Sequence, residues 1–505
     1  VYCDWLGRRA ALSPDKIALV DVTRGRREPI TYRAWDRQVN RTARWLRDAL
    51  GVRRGDRVAV LAKNSVAYLD LLFACGKLGA VLQTLNWRLT PAELRALLAP
   101  APPALLAYGS STREQVLALE AAGLSLPTVA LDGDGDGERP LAQRDRSSDE
   151  PVEAEVRAED PWIICYTGGS TGVPKGAVLT HGSVLANAVN TVAGWGLTPD
   201  DVAILNAPLF HVGGLNVLTT PLVLVGGTSL VCEAFDPGQV FELISREGVT
   251  AFFGVPTMFL ALLQHPGWVE SNLDRVKLVI SGGAPCPEAI LQAFWGRGVA
   301  LKTGYGLTEA GPNNFGMPAA LVKEKPGSVG FPLFLVEARV EAEGRGCGVD
   351  EVGELLLRGP HLFGGYWGRP EETAKALEGG WLRTGDLVRR DGDGCYWIVG
   401  RSKDLIISGG ENVYPAEVEG VLMDHPAVAE AAVIGVPDER WGEVGRALVV
   451  RRAGQAVDEG ELLDFCRGRL ARYKVPKDLR WLEALPRTAA GKIDKPALRG
   501  AHGEP

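Results

Sequence analysis

One stretch of the chain concentrates groups suited to holding an anion: Tyr166-Thr-Gly-Gly-Ser-Thr-Gly-Val-Pro-Lys-Gly176. Gly168 and Gly169 let backbone N–H groups come close to a phosphate, the hydroxyls of Thr167, Ser170 and Thr171 add donors, and Lys175 adds a point charge. The spacing fails the Gly-x-x-x-x-Gly-Lys-[Ser/Thr] pattern, so a P-loop nucleotidase is not expected. A Gly/Ser run alone would read as a solvated turn; hydroxyls and a lysine in the same loop favour phosphate binding.

Other groupings carry less chemistry. No His/Cys set has the spacing of a structural zinc site. Asp132-Gly-Asp-Gly-Asp-Gly137 imitates the start of a calcium loop, but the twelfth position is Gln143 where a bidentate Glu is required, so a solvated polar loop over 132–146 is expected.

The phosphate-compatible loop follows a strand-like run, Trp162-Ile-Ile-Cys165. Similar short runs, Arg57-Val-Ala-Val-Leu61, Val202-Ala-Ile-Leu205, Thr250-Ala-Phe-Phe253 and Lys277-Leu-Val-Ile280, alternate with helical patterns, which predicts α/β layering. Beyond Gly327 the texture changes to short strands at 337–341, 353–357 and 395–399, suggesting a β-rich subdomain. Arg401-Ser-Lys-Asp404 then precedes a last segment of about a hundred residues, the size of one small domain. Its pattern predicts a helix at 415–423, strands at 428–436 and 446–450, and a helix at 459–470, an α+β unit. The expected organisation is a large domain over 1–400, a hinge at 401–405 and a small mobile domain over 406–505.

A chain of 505 residues needs more than one ordinary domain. Its net charge of -7, without a long basic block, argues against a nucleic-acid surface. Eight cysteines lie scattered with no C-x-x-C spacing and no secretory leader is seen, so reduced thiols and a cytoplasmic location are expected. The most apolar stretch, 216–232, is broken by Thr, Pro and a Gly pair and is too short for a transmembrane segment.

Six further motifs follow the loop in order: Pro208-Leu-Phe-His211, Ser281-Gly-Gly-Ala-Pro285, Gly304-Tyr-Gly-Leu-Thr-Glu309, Thr384-Gly-Asp386, Gly400-Arg-Ser-Lys-Asp-Leu-Ile-Ile-Ser-Gly-Gly-Glu-Asn412 and Pro486-Arg-Thr-Ala-Ala-Gly-Lys-Ile493. With the loop, this ordered set resembles the adenylate-forming superfamily of acyl-CoA synthetases, luciferases and peptide-synthetase adenylation domains. The resemblance spans nearly the whole chain. It implies layered sheets and helices in a large N-terminal domain, and an acid activated by ATP as acyl-AMP and passed to coenzyme A.

Roles follow by that resemblance. A carboxylate approaching the α-phosphate is one anion meeting another, so the site must supply positive charge first; Lys492 is the expected supplier. Glu309, with Thr167, would hold Mg²⁺ through oxygen, and Thr308 would reach the α-phosphate. Asp386 and Arg401 would meet the ribose. Gly282, Ala284 and Pro285 would lie along adenine, with Thr303, Gly304, Tyr305 and Gly306 on its other side and the Tyr305 ring stacked on the base. His211 would line the path between acid and coenzyme A, Gly409, Gly410 and Trp441 would face coenzyme A, and the small domain would turn about Lys403. Taken singly, Lys492 reads as a solvated lysine, Asp386 as a turn residue, Arg401 as a surface charge and Tyr305 or His211 as core.

Amino-acid adenylation domains carry an Asp just after the Phe of the motif that Pro208-Leu-Phe-His211 matches; His211 stands there, which disfavours an amino acid. No carrier domain follows Lys492, so free coenzyme A is the expected acceptor. The acid pocket is expected from 211–216, 253–257, 282–284, 303–306 and 311–314, segments mainly small and apolar, which suits a monocarboxylic fatty or aryl acid. Transfer to a carrier protein, luciferase chemistry and a non-catalytic nucleotide binder are the alternatives, and a homodimer stays open.

Overall fold

The computed structural model describes residues 3–132, 139–167, 174–488 and 491–504. Two large sheets dominate the N-terminal part. In the first, strands run in the order Leu301–Thr303, Leu278–Ser281, Ala251–Gly254, Val202–Leu205, Thr228–Val231, Ile17–Asp21 and Glu28–Thr31, all parallel except the last pair. Their Val, Ile, Leu and Ala content is what a sheet buried on both faces requires. In the second, Thr128–Ala130, Leu105–Tyr108, Arg57–Leu61, Val81–Thr84 and Pro161–Thr167 are parallel and Lys175–Thr180 closes antiparallel.

The expected strands at 57–61 and 202–205 form as read, while those at 250–253 and 277–280 are each one residue further on. The apolar stretch 216–232 divides into a π turn Leu215–Thr219, a helix Thr220–Val225 and a strand Thr228–Val231; its Gly pair ends the helix, Gly226 at φ 88°. Among the described residues no helix is long and apolar enough to cross a membrane.

The loop expected over 132–146 is not solvated throughout. Residues 141–146 form a 3₁₀ turn, Leu141–Arg146, and Arg144 pairs at 2.6 Å with the fully buried Asp70. Trp35 Nε1 and Gln38 Nε2 also donate to that carboxylate, at 2.9 and 2.6 Å, so its burial is compensated. The tract 133–138 lies outside the described residues.

A six-stranded antiparallel sheet follows, built on Glu337–Ala342, Gly353–Arg358, Trp381–Arg390 and Tyr396–Arg401. The small C-terminal domain has a five-stranded sheet of Ile406–Ser408, Glu411–Val413, Val428–Asp438, Gly442–Arg451 and Asp478–Leu482, with helices Pro415–Met423, Glu459–Arg467 and Lys495–His502. The molecule is therefore mixed α/β, with a large N-terminal and a smaller C-terminal domain. The helix expected over 459–470 stops at Arg467 because Gly468 follows.

His181 and His361 are buried, His181 with neither ring nitrogen paired and His361 against the Leu335 backbone, and burial pushes both imidazoles down to about 4. His181 stacks on Trp162 with ring centroids 4.8 Å apart. The native state then binds fewer protons than the unfolded chain between about pH 4 and 6.5, so stability is lost as pH falls through that window. Each ring contributes at most roughly 3 kcal/mol to that loss. Urea midpoints should therefore drop on acidification, and His181→Phe, which keeps the stack and removes the titration, should shrink the drop. An equal drop in the variant would contradict this origin.

Candidate active site

Ligands of parallel sheets bind beyond the carboxyl ends of the strands. Four adjacent strands of the first sheet end on this side, three of them at motif residues. Val202–Leu205 leads to His211, Ala251–Gly254 to the Pro256–Gln264 helix, Leu278–Ser281 to Gly282 through Pro285, and Leu301–Thr303 to Gly304 through Glu309. Glycine is required at the closest points: a Cβ on Gly306 would sit 2.2 Å from the Pro312 backbone, and one on Gly304 would meet the Ile280 side chain at 2.8 Å. Ala284 and Pro285 stay exposed at the rim, whereas Thr308 is buried.

Asp386 comes from the antiparallel sheet, directly across the ladder from Arg401. The carboxylate is 5% exposed; Arg401 Nε lies 3.0 Å from its Oδ1, and the Tyr305 hydroxyl donates to its Oδ2 at 2.6 Å. Burial, then the nearby Asp386 charge, holds the Tyr305 phenol far above its ordinary range, so it remains a donor. Tyr305 also packs edge to face on Phe315 at 5.8 Å. Each Asp386 oxygen already has one partner, yet a carboxylate has about four acceptor sites and can still receive a diol.

Glu309 lies in the short 3₁₀ turn Thr308–Ala310, held by its carbonyl, which accepts from Phe363 N at 2.8 Å. Its Oε1 accepts from the Tyr366 hydroxyl at 2.8 Å, and Lys175 Nζ sits 5.1 Å from the centre of the same Tyr366 ring. Tyr366 therefore links the carboxylate to the lysine after the glycine-rich loop. Sequence reasoning passed over it; the adjacent Gly364-Gly-Tyr-Trp367 run was the available signal. Thr167 ends the strand before that loop, and its hydroxyl reaches the Lys175 carbonyl at 3.4 Å. Gly168, Gly169, Ser170 and Thr171 lie outside the described residues.

Lys492 arrives from the C-terminal domain on a turn closed by Thr488 N donating to the Lys492 carbonyl at 2.7 Å, with Gly491 at φ 84°. Its side chain is exposed at the surface, yet protein surrounds its ammonium. That surround pushes its pKa down, Arg401 and Lys403 push the same way, and Asp386 and Glu309 push it up. The charges of Arg401, Asp386 and Glu309 are thus all felt at Lys492. His211 also feels Lys492: burial first, then that charge, holds its imidazole down at about 4. Its Nδ1 accepts from Gly213 N at 3.0 Å, which leaves the proton on Nε2.

Gly409 and Gly410 form the two-residue turn between paired strands, at φ 60° and 88°, a hairpin geometry that favours glycine at both positions. A Cβ on Gly409 would press on the Trp441 ring at 2.6 Å, so Trp441 covers one side of the turn, while the Gly410 position opens to free space. Lys403 lies in the 3₁₀ turn Ser402–Asp404 that leads into this domain, and Asp404 pairs with Arg499. Among the described residues no cluster of three or more His, Cys, Asp or Glu could hold a metal. A single carboxylate such as Glu309 nevertheless fits Mg²⁺, which is bound by one or two carboxylates plus substrate phosphates.

Residues 6–367 match the family model for AMP-binding enzyme, and residues 417–492 match that for the AMP-binding enzyme C-terminal domain. The chain belongs to the AMP-binding enzyme family. Relatives in this family align along their whole lengths. Feruloyl-CoA synthase of an Amycolatopsis species is 44% identical, with 99% of this chain and 98% of that protein covered. Indoleacetate–CoA ligase of Aromatoleum aromaticum is 39% identical over 98% and 97%. The crystal structure of ATP-bound MatB from Rhodopseudomonas palustris superposes with a TM-score of 0.90 at 34% identity, covering 100% of this chain and 99% of that one.

Proposed function

We propose that this AMP-binding enzyme is an acid–CoA ligase that activates an aryl monocarboxylic acid with ATP and transfers it to coenzyme A. The observation that carries this is that Lys492, from the small domain, feels the charges of Glu309 and Asp386 of the large one and of Arg401 at the hinge. The preference for an aryl over a fatty acid rests on the feruloyl and indoleacetate names of the two relatives.

In the first step the acid's carboxylate oxygen attacks the α-phosphorus and pyrophosphate leaves. Lys492 offsets the charge shared by the two reacting anions. Asp386 and Arg401 hold the ribose, Tyr305 lies against adenine, and Lys175 with Thr167 meets the phosphates. Glu309 would hold Mg²⁺, which, when bound, screens the phosphate charge. In the second step the thiol attacks the carbonyl carbon and AMP leaves. His211, kept neutral, walls the path between acid and thiol and limits access of water to the adenylate. Residues 401–405 serve as the hinge between 1–400 and 406–505, with Lys403 as its pivot.

Acid-dependent ATP–pyrophosphate exchange over a panel of aryl and fatty acids tests this assignment; exchange with aryl acids is expected, and no exchange with any acid would refute it. Tyr366→Phe removes the hydroxyl that orients Glu309. It should raise the Mg²⁺ concentration for half-maximal exchange by about tenfold, the scale seen when a ligand's outer partner is lost. An unchanged Mg²⁺ dependence would mean that Tyr366 does not position Glu309.

A further inference from the structure

We infer that Lys302 is a specificity-determining residue, whose ammonium hydrogen-bonds an oxygen on the far end of the aromatic ring of the acid. This rests on the aryl-acid reading above.

The placement follows from sheet register. On the first sheet Lys302 pairs with Ile280, and Ile280 with Phe253. Ala203 pairs with Ala251 and Ile204 with Phe252, so Phe253 continues level with Leu205. Residues level across a sheet share a face, and Leu205, Phe253 and Ile280 do pack together in one apolar cluster with Val217 and Leu218. Lys302 completes that row at the edge strand. Leu205 and Phe253 of this face line part of a small apolar cleft together with Ala207, Gly213, Val217 and Leu218.

Two residues further along the strands, about 6–7 Å nearer the nucleotide end, the row holds Gly282 and Gly304. A Cβ on either would meet Phe253 or Ile280, at 3.0 and 2.8 Å, so this part of the face is kept flat. An acid whose carboxylate lies near Lys492 would cross these glycines and direct its ring toward the Lys302–Leu205 row. The segment 303–306 expected to line the acid pocket begins one residue after this lysine.

Lys302 has no hydrogen bond or ion pair among the described residues, and it is only partly exposed. Burial alone pushes its ammonium pKa down, with no neighbouring charge acting on it. A desolvated donor without a partner carries a cost that a ligand oxygen would remove. The competing role is a lysine that merely reaches past the sheet edge into water.

The test compares 3-phenylpropenoic acid with its 4-hydroxy and 4-carboxy derivatives, in pyrophosphate exchange and in thioester formation, on the full chain and on Lys302→Met. The wild type should favour an oxygen-bearing acid over the unsubstituted one by at least about tenfold in kcat/KM, because a site built around a polar partner rejects the analogue lacking it. Lys302→Met should erase that preference, chiefly through KM, while keeping activity on the unsubstituted acid, which also reports folding. Should Lys302→Met not fold, Lys302→Gln must move the ratio in the same direction. Whichever derivative loses more identifies the oxygen as phenolic or carboxylate. Activation of all three acids with a ratio that the substitution leaves unmoved would overturn the role of Lys302 alone. Activation of fatty acids only would overturn the aryl reading, and the role of Lys302 with it.

Discussion

Lys492→Ala is expected to lower formation of acyl-AMP from acid and ATP by at least about 10²–10³-fold, the cost of removing one preorganised donor from a developing charge. Transfer from supplied acyl-AMP to coenzyme A should stay largely intact. The reason is geometric. Lys492 belongs to the small domain, yet its ammonium feels the charges of Arg401, Asp386 and Glu309, the groups proposed to surround the nucleotide. In the transfer step the acid no longer faces a phosphate as a second anion, so that charge is not needed. Pyrophosphate release and acyl-CoA formation, followed separately on the folded variant, check this. Equal loss of both would contradict a division of labour between two domain arrangements.

Gly410→Leu should do the reverse, making acyl-AMP while losing most thioester formation. A Cβ at Gly410 meets nothing within 4 Å, so the domain arrangement of this structure has room for the side chain. The turn's φ of 88° adds local strain, roughly 1–3 kcal/mol, confined to the hairpin. Any larger loss must come from an arrangement in which this turn faces the substrate path. Gly409 is the poorer probe, because Trp441 already fills the space beside it. Thioester formation at the wild-type rate from supplied acyl-AMP would remove the turn from the coenzyme A path.

Elements bounded by strong local signals were legible in the sequence. The helix Pro415–Met423 begins where proline sits at its first position, and the strand Arg57–Leu61 coincides with a β-branched and apolar run that follows a Gly-Asp turn. The strand expected over 428–436 runs to Asp438, because pairing of Pro437 with Glu443 and Asp438 with Gly442 extends the ladder, and such pairing is a tertiary fact. The site behaved the same way. Motif residues such as Glu309, Asp386 and Lys492 were visible because close spacing and residue type mark them. Tyr366 and Lys302 were not, since one acts through a contact 57 positions away along the chain and the other through its level on a sheet face. The partnership of Tyr305 with Asp386 likewise spans 81 positions and could not be read from either motif alone.

The central claim, that acid oxygen bonds to the α-phosphorus before coenzyme A attacks, is tested most directly with an acid carrying heavy oxygen in both carboxylate positions. The enzyme, ATP, Mg²⁺, coenzyme A and the labelled acid are incubated together, and the products are analysed by mass spectrometry. The expected result is one labelled oxygen in AMP and the other retained in the thioester carbonyl, with pyrophosphate unlabelled. Label in inorganic phosphate with ADP as the nucleotide product, or AMP free of label, would contradict it.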